Sequence, residues 1–124
     1  MTALELRVLG PVTASAGGAD LPLRKPRLRE LLAMLVAAHG RTVSTTTLVE
    51  DLWDGTAPDG AVGAVRTFVG ELRRALEPYR PPRRPSRLLV TTATGYALHV
   101  PDDAVDVWRV EAAAAAARDT GATS

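Results

Sequence analysis

The chain has 124 residues, 46% hydrophobic and only 4% aromatic, which predicts one domain with an aliphatic core and excludes compositional disorder. It has no cysteine, which removes disulfides, thiolate nucleophiles and sulfur-ligated metal sites, and fits a reducing cytoplasm. The formal net charge is +1, but residues 61–100 hold seven arginines against Glu71 and Glu77, a basic field that charge alone leaves open to a nucleic acid or to solvent.

The opening MTALELRVLG has no basic region followed by a long apolar run, so no signal peptide is expected. No apolar run reaches the roughly 20 residues of a membrane span. Leu4, Leu6 and Val8 alternate with Glu5 and Arg7 as a half-buried strand would, and Gly10-Pro11 interrupts it. Val12-Thr13-Ala14 resumes pairing, 16–20 reads as a hairpin turn, and Leu21-Pro22-Leu23 as a short return strand. From Pro26 the period becomes helical: Leu28, Leu31, Leu32, Leu35 and Val36 predict a helix over 26–38, stopped at Gly40. Arg24, Lys25, Arg27 and Arg29 crowd its start against the helix dipole, as a phosphate partner or plain solvation would permit.

Arg41-Thr42-Val43 is a short extended link, and Ser44 is a good N-cap for a second helix carrying Leu48, Val49, Leu52 and Trp53. After the turn at 54–58, Asp59 is the expected cap of a third helix, 58–77. Val62, Val65, Val69, Leu72 and Leu76 line one of its faces, and Arg66, Gly70 and Arg73 another. Two helices joined by a Gly/Pro turn, the second of them basic, form a helix-turn-helix candidate. The stretch 78–87, with four prolines and four arginines, is an extended loop. Strands at 88–92 and 96–100 then flank Ala93-Thr94-Gly95, where a winged helix carries its wing, and Gly95 is expected in a positive-φ turn. Asp106 is placed to cap a last helix through Arg118, with an alanine run at 112–117, and the final DTGATS is expected to fray.

Catalysis finds no support. His39 and His99 stand apart, no nucleophile sits beside a base, and Asp102, Asp103 and Asp106 lack the spacing of a calcium loop. The expectation is no catalytic residue, no metal and no cofactor.

The order of elements, an α+β winged helix-turn-helix with an N-terminal antiparallel sheet, three helices and a C-terminal β-hairpin wing, resembles the OmpR type. The motifs are more specific: LRVLGP at 6–11, P-R-x-R-x-L-L-A-x-L at 26–35, V-S-x-x-x-L-V-x-x-L-W at 43–53, VGELRRAL at 69–76 and TGYAL at 94–98. In this order they resemble the DNA-binding domain of the actinobacterial antibiotic regulatory proteins (the SARP family, with its AfsR-like relatives). The resemblance covers residues 4–100. The stretch DVWRVEA at 106–112 resembles the opening of the bacterial transcriptional activation domain that follows in this family, so the resemblance divides the chain into a DNA-binding unit at 1–103 and the first helix of that domain, or a C-terminal strut, at 104–124.

The resemblance implies sequence-specific binding of double-stranded DNA and transcriptional regulation, with helix 58–77 in the major groove and the wing against the minor groove or backbone. It also implies direct-repeat sites, a tandem dimer on DNA, contact with RNA polymerase and no membrane partner. The residues carried over as DNA contacts are Arg27, Arg29, Arg66, Thr67, Gly70, Arg73, Arg74, Arg83, Arg84, Arg87, Thr92 and Thr94. Where relatives often place Arg-Asn-Thr, this chain has Val62, Gly63 and Ala64, and Gly70-Glu71 replaces a common Ser-Arg. The alternative is a degenerate winged helix that binds protein, either its own regulatory domain or RNA polymerase.

Overall fold

The computed structural model describes residues 4–81 and 83–122. Its elements run β1 (Leu4–Arg7), β2 (Thr13–Ala16), β3 (Ala19–Asp20), α1 (Pro26–Ala37), β4 (Val43–Ser44), α2 (Thr45–Leu52), α3 (Ala61–Leu76), β5 (Leu89–Thr91), β6 (Gly95–Leu98), a 3-10 turn (Asp102–Ala104) and α4 (Asp106–Ala122). This is an α+β winged helix-turn-helix with one extra C-terminal helix.

Two small antiparallel sheets flank the helices, with strand orders β1-β2-β3 and β4-β6-β5. In the first, Leu4 faces Ala16 and Arg7 faces Thr13. Gly17 and Gly18, with φ of 60° and 83°, make the two-residue turn between Ala16 and its partner Ala19. A turn of this hand matches the strand twist and demands positive φ at both central positions. The turn falls within the expected 16–20 but is tighter, so the return strand is Ala19–Asp20, not 21–23. Leu21 N–H still donates to Ala14 O at 2.8 Å, but Pro22, having no N–H, ends the pairing.

The helices enclose one aliphatic core. Leu31, Leu32 and Leu35 of α1, Leu48 of α2, and Val65 and Leu72 of α3 are fully buried among Leu6, Leu89, Leu98 and Val105. Ser44 Oγ accepts from Thr47 N–H at 3.1 Å, the cap expected of it. The third helix begins at Ala61. Its N-cap is Gly60 in left-handed geometry, with no side-chain cap, so Asp59 does not hold the role assigned to it. Pro58 O instead accepts from Ala61 N–H in a turn before the helix. Val62 also departs from expectation. It is 46% exposed, while Ala61 takes the buried position at that end.

The wing is shorter at its strands and better tied than the pattern predicted. Leu89–Thr91 and Gly95–Leu98 pair, and the supposed link at Val43–Ser44 joins them as a third strand on the other side of β6. Gly95 is not a positive-φ residue. An added Cβ there would lie 2.0 Å from Val43 O and 2.8 Å from Ser44 Cα, so the glycine permits two backbones to touch.

The last helix extends through Ala122, beyond the expected end at Arg118; Thr123 and Ser124 of the stretch expected to fray lie outside the described residues, as does Pro82 of the Pro/Arg loop. Trp108 is buried, donates from Nε1 to Val36 O at 3.0 Å and stacks on the His39 ring at 4.1 Å. The Asp106 carboxylate accepts from the N–H groups of Val8 (3.0 Å), Leu9 (3.2 Å) and Val107 (2.7 Å). Ala104, Val105 and Trp108 thus share the core with the residues before 103.

Burial works against the charge of Asp106, but the three backbone donors outweigh it and hold its carboxyl below the ordinary aspartate value of 3.8. A depressed folded-state value contributes stability above the unfolded value, lost as pH falls through the folded one. Asp106→Asn should therefore cost about 1.5–3 kcal/mol at pH 7. In urea titrations the gap from the parent should shrink below pH 3.8. A gap independent of pH would show that the charge is not what the three donors hold. Gly95→Ala should cost about 1–3 kcal/mol or more through overpacking against backbone, seen as a lower midpoint of thermal unfolding.

Candidate nucleic-acid interface

The interface is built outward from the buried side of α3. Val65, Val69, Leu72, Ala75 and Leu76 face the core, and at 3.6 residues per turn this turns Gly63, Arg66, Thr67, Gly70 and Arg74 toward solvent. Arg66 and Arg74 are exposed, and neither makes an ion pair or hydrogen bond among the described residues. Thr67 Oγ1 donates to Gly63 O at 3.2 Å, which leaves its oxygen lone pairs and methyl facing outward. A side chain at Gly63 would meet open space, and one at Gly70 only ordinary contact, 3.8 Å from an Arg74 nitrogen. Nothing inside the protein demands either glycine. Gly63 leaves bare helix ahead of Arg66, and Gly70 bare helix between Arg66 and Arg74.

Arg73 belongs to the flank of the same helix and turns inward. Nε donates to Leu89 O at 2.9 Å, one terminal nitrogen donates to Thr91 Oγ1 at 2.9 Å, and the guanidinium lies 5.8 Å from the centre of the Tyr96 ring. Burial beneath the hairpin pushes Arg73 below the ordinary arginine value, with the Glu77 carboxylate acting the other way. Tyr96 is itself buried, a packing residue of the wing.

The wing tip, residues 92–94, projects from this base. Thr92 Oγ1 accepts from Gly95 N–H at 3.2 Å, and Thr94 O accepts from Thr45 N–H at 3.1 Å, which fastens the tip to the start of α2. The exposed Thr94 side chain remains outside. In the loop before the wing, the Glu77 carboxylate accepts from Ser86 Oγ at 2.7 Å and Arg87 N–H at 3.1 Å and pairs with Arg80 at 3.9 Å. Glu77 thus folds the loop back on α3. Arg83, Arg84 and Arg87 are exposed, and their guanidiniums have no acidic partner among the described residues.

The cations at the start of α1 are placed differently. Arg27 bonds to Leu52 O, pairs with Glu30 at 3.0 Å and lies 5.2 Å over the Trp53 ring. Arg29 donates to Leu23 O at 2.7 Å and Arg24 O at 2.8 Å. Lys25 pairs with Glu71 at 2.7 Å, bridging α1 to α3. The chain's own acceptors therefore answer the charge that crowds this helix start. Arg24 stays exposed and lines a shallow depression with Arg74, beside the Lys25–Glu71 pair. The sequence pattern singled out Arg27 and Arg29 and passed over Arg24. A run of cations carries no mark of which one finds an internal acceptor. Among the described residues, no cluster of three or more His, Cys, Asp or Glu is arranged to hold a metal ion.

The chain is similar to regulatory proteins across most of its length. It is 37% identical over 116 residues to the regulatory protein AfsR of Streptomyces coelicolor, covering 93% of this chain and 11% of that protein. It is 31% identical over 103 residues to the transcriptional regulator RedD of the same organism, covering 83% and 29%. The chain thus spans less than a third of these relatives. Among solved structures, Mycobacterium tuberculosis EmbR in complex with a low-affinity phosphopeptide superposes with a TM-score of 0.78 at 32% identity, over 88% of this chain and 28% of that one. The DNA-binding domain of E. coli CadC superposes with a TM-score of 0.59 at 27% identity, over 72% and 79%. Residues 20–98 match the family model described as transcriptional regulatory protein, C terminal, a stretch running from β3 to the end of the wing and containing the whole exposed face of α3. The chain belongs to that family of transcriptional regulatory C-terminal domains.

Proposed function

We propose that this domain binds double-stranded DNA sequence-specifically and regulates transcription, with α3 in the major groove and the wing and its preceding loop along the backbone. The observation that carries this reading is the outward face of α3, where Gly63, Arg66, Thr67, Gly70 and Arg74 turn away from the core and the Arg66 and Arg74 side chains have no partner among the described residues. A major groove admits one helix, and arginine can donate two bonds to guanine O6 and N7, each such pair worth about 1–3 kcal/mol of discrimination. The two glycines let the helix axis approach base edges or sugar closely. Arg83, Arg84 and Arg87 supply unpaired charge for phosphates. Arg27 and Arg29, held by internal acceptors, serve chiefly to position α1, and Thr92 to shape the wing whose Thr94 reaches out. The similarity to a solved DNA-binding domain and to transcriptional regulators supports the same reading.

The finer reading follows the family: direct-repeat sites occupied by a tandem dimer, RNA polymerase as the partner in activation, and control of secondary-metabolite genes. The helix from Asp106 is read as the opening of a transcriptional activation domain.

Selection of bound sequences from random duplex DNA should return a defined motif, and affinity should fall steeply with salt. No retardation of any duplex at low salt would overturn the proposal and favour a protein-binding role. Arg66→Ala and Arg74→Ala should each weaken binding to the selected site by about 1–3 kcal/mol while leaving the thermal midpoint almost unchanged. The glycines should respond with opposite signs. Gly63→Ala and Gly70→Ala should each stabilise the fold by roughly 1 kcal/mol and weaken binding to the same site. Unchanged affinity in both would place the duplex elsewhere.

A further inference from the structure

From the geometry of Arg73 we infer that it is a positioning residue, which clasps the wing to the recognition helix so that both meet the duplex as one rigid body. The inference rests on the DNA-binding reading above and removes Arg73 from the set of groups that touch DNA.

The strand order β4-β6-β5 makes β5 an edge strand. Leu88 O turns inward to accept from His99 N–H at 2.7 Å, so the next carbonyl, Leu89 O, points to the open side. That carbonyl is the one Arg73 Nε reaches at 2.9 Å. Two residues on, the side chain of Thr91 stands on the same sheet face as its cross-strand partner Tyr96, and its Oγ1 receives the second donor at 2.9 Å. The two N–H groups of one planar fork thus bridge the edge carbonyl of Leu89 and the hydroxyl of Thr91, while the guanidinium lies over the ring of Tyr96 of β6. One side chain of α3 therefore grips both strands of the hairpin. A lysine ammonium could satisfy either acceptor but not both together with the ring.

At its other end the hairpin is fastened by Thr94 O to the first N–H of α2 and by the backbone contact of Gly95 with Val43. The wing is held at base and tip, and the base clasp comes from the helix that presents Arg66 and Arg74. Arg73 is followed by Arg74 in sequence but points almost a third of a turn away, which divides the labour: one arginine free for a ligand, its neighbour spent on the wing.

The test separates positioning from contact. Arg73→Lys keeps the charge and loses the fork, and Thr91→Val removes one acceptor without touching α3. Both should speed amide hydrogen exchange of the hairpin at Thr92 and Gly95. Both should weaken binding to the selected duplex, by about tenfold for Arg73→Lys, with the salt slope unchanged. On a duplex shortened to remove the wing's phosphates, the parent and both variants should converge. Arg73→Ala lowering the salt slope by about one, with hairpin exchange unchanged in all three variants, would make Arg73 a direct phosphate ligand and overturn the inference. Should the parent bind no duplex, the functional reading fails, and the exchange rates alone still decide whether the clasp exists.

Discussion

The chemistry that α3 presents to its surroundings is placed by its buried side. Val65, Val69 and Leu72 can be dry only if the helix is rotated to one angle about its axis, because burial of each large aliphatic side chain is worth roughly 1.5–3 kcal/mol. That rotation decides, without further interaction, that Arg66 and Arg74 face out and that Arg73 faces the hairpin. The Lys25–Glu71 pair on the outer flank adds little energy at its exposure, but it removes from the basic face the acid nearest to it. Core packing and surface chemistry are thus two readings of a single angular constraint.

Charge in this domain separates into two populations. Arg27, Arg29 and Arg73 end on carbonyls or hydroxyls of the chain itself, and two of the three also lie over aromatic rings. Arg66, Arg74, Arg83, Arg84 and Arg87 end in solvent. The first population organises loops that have too few apolar residues to be held by packing. The second leaves a field of one sign around the helix and the wing. A count of arginines conflates the two, and only their acceptors tell them apart.

The fold was largely legible in the sequence because its information is periodic. The run Leu28 to Val36 could be nothing but an amphipathic helix, Ser44 marked a helix start by a single hydroxyl, and TGY announced a hairpin. What was not legible depended on contacts between distant segments. Gly95 looked like a turn glycine, and its real reason is the Val43 backbone passing beside it. Val62 fitted the apolar stripe by spacing, yet the stripe runs through Ala61 at the helix start, and Val62 lies beyond the edge of the core. The link at Val43–Ser44 became a strand only because β6 offered it an edge. Of the candidate interface, the helix and the wing followed from motif order, whereas the split between Arg73 and Arg74 needed the hairpin in place.

The anchoring of α4 has a mechanical consequence. Its first turns are fixed by the Asp106 carboxylate on the chain after β1 and by Trp108 against α1, and His39 sits between Asp102 and Glu111 at 3.4 and 3.5 Å. Beyond them the 17-residue helix, on the order of 25 Å long in all at 1.5 Å per residue, continues as an alanine-rich rod. A force applied near its far end would be delivered as torque on β1 and α1. Because those elements share one core with α3, the rod and the outward face of α3 are parts of one body, and a load on the rod would be felt there.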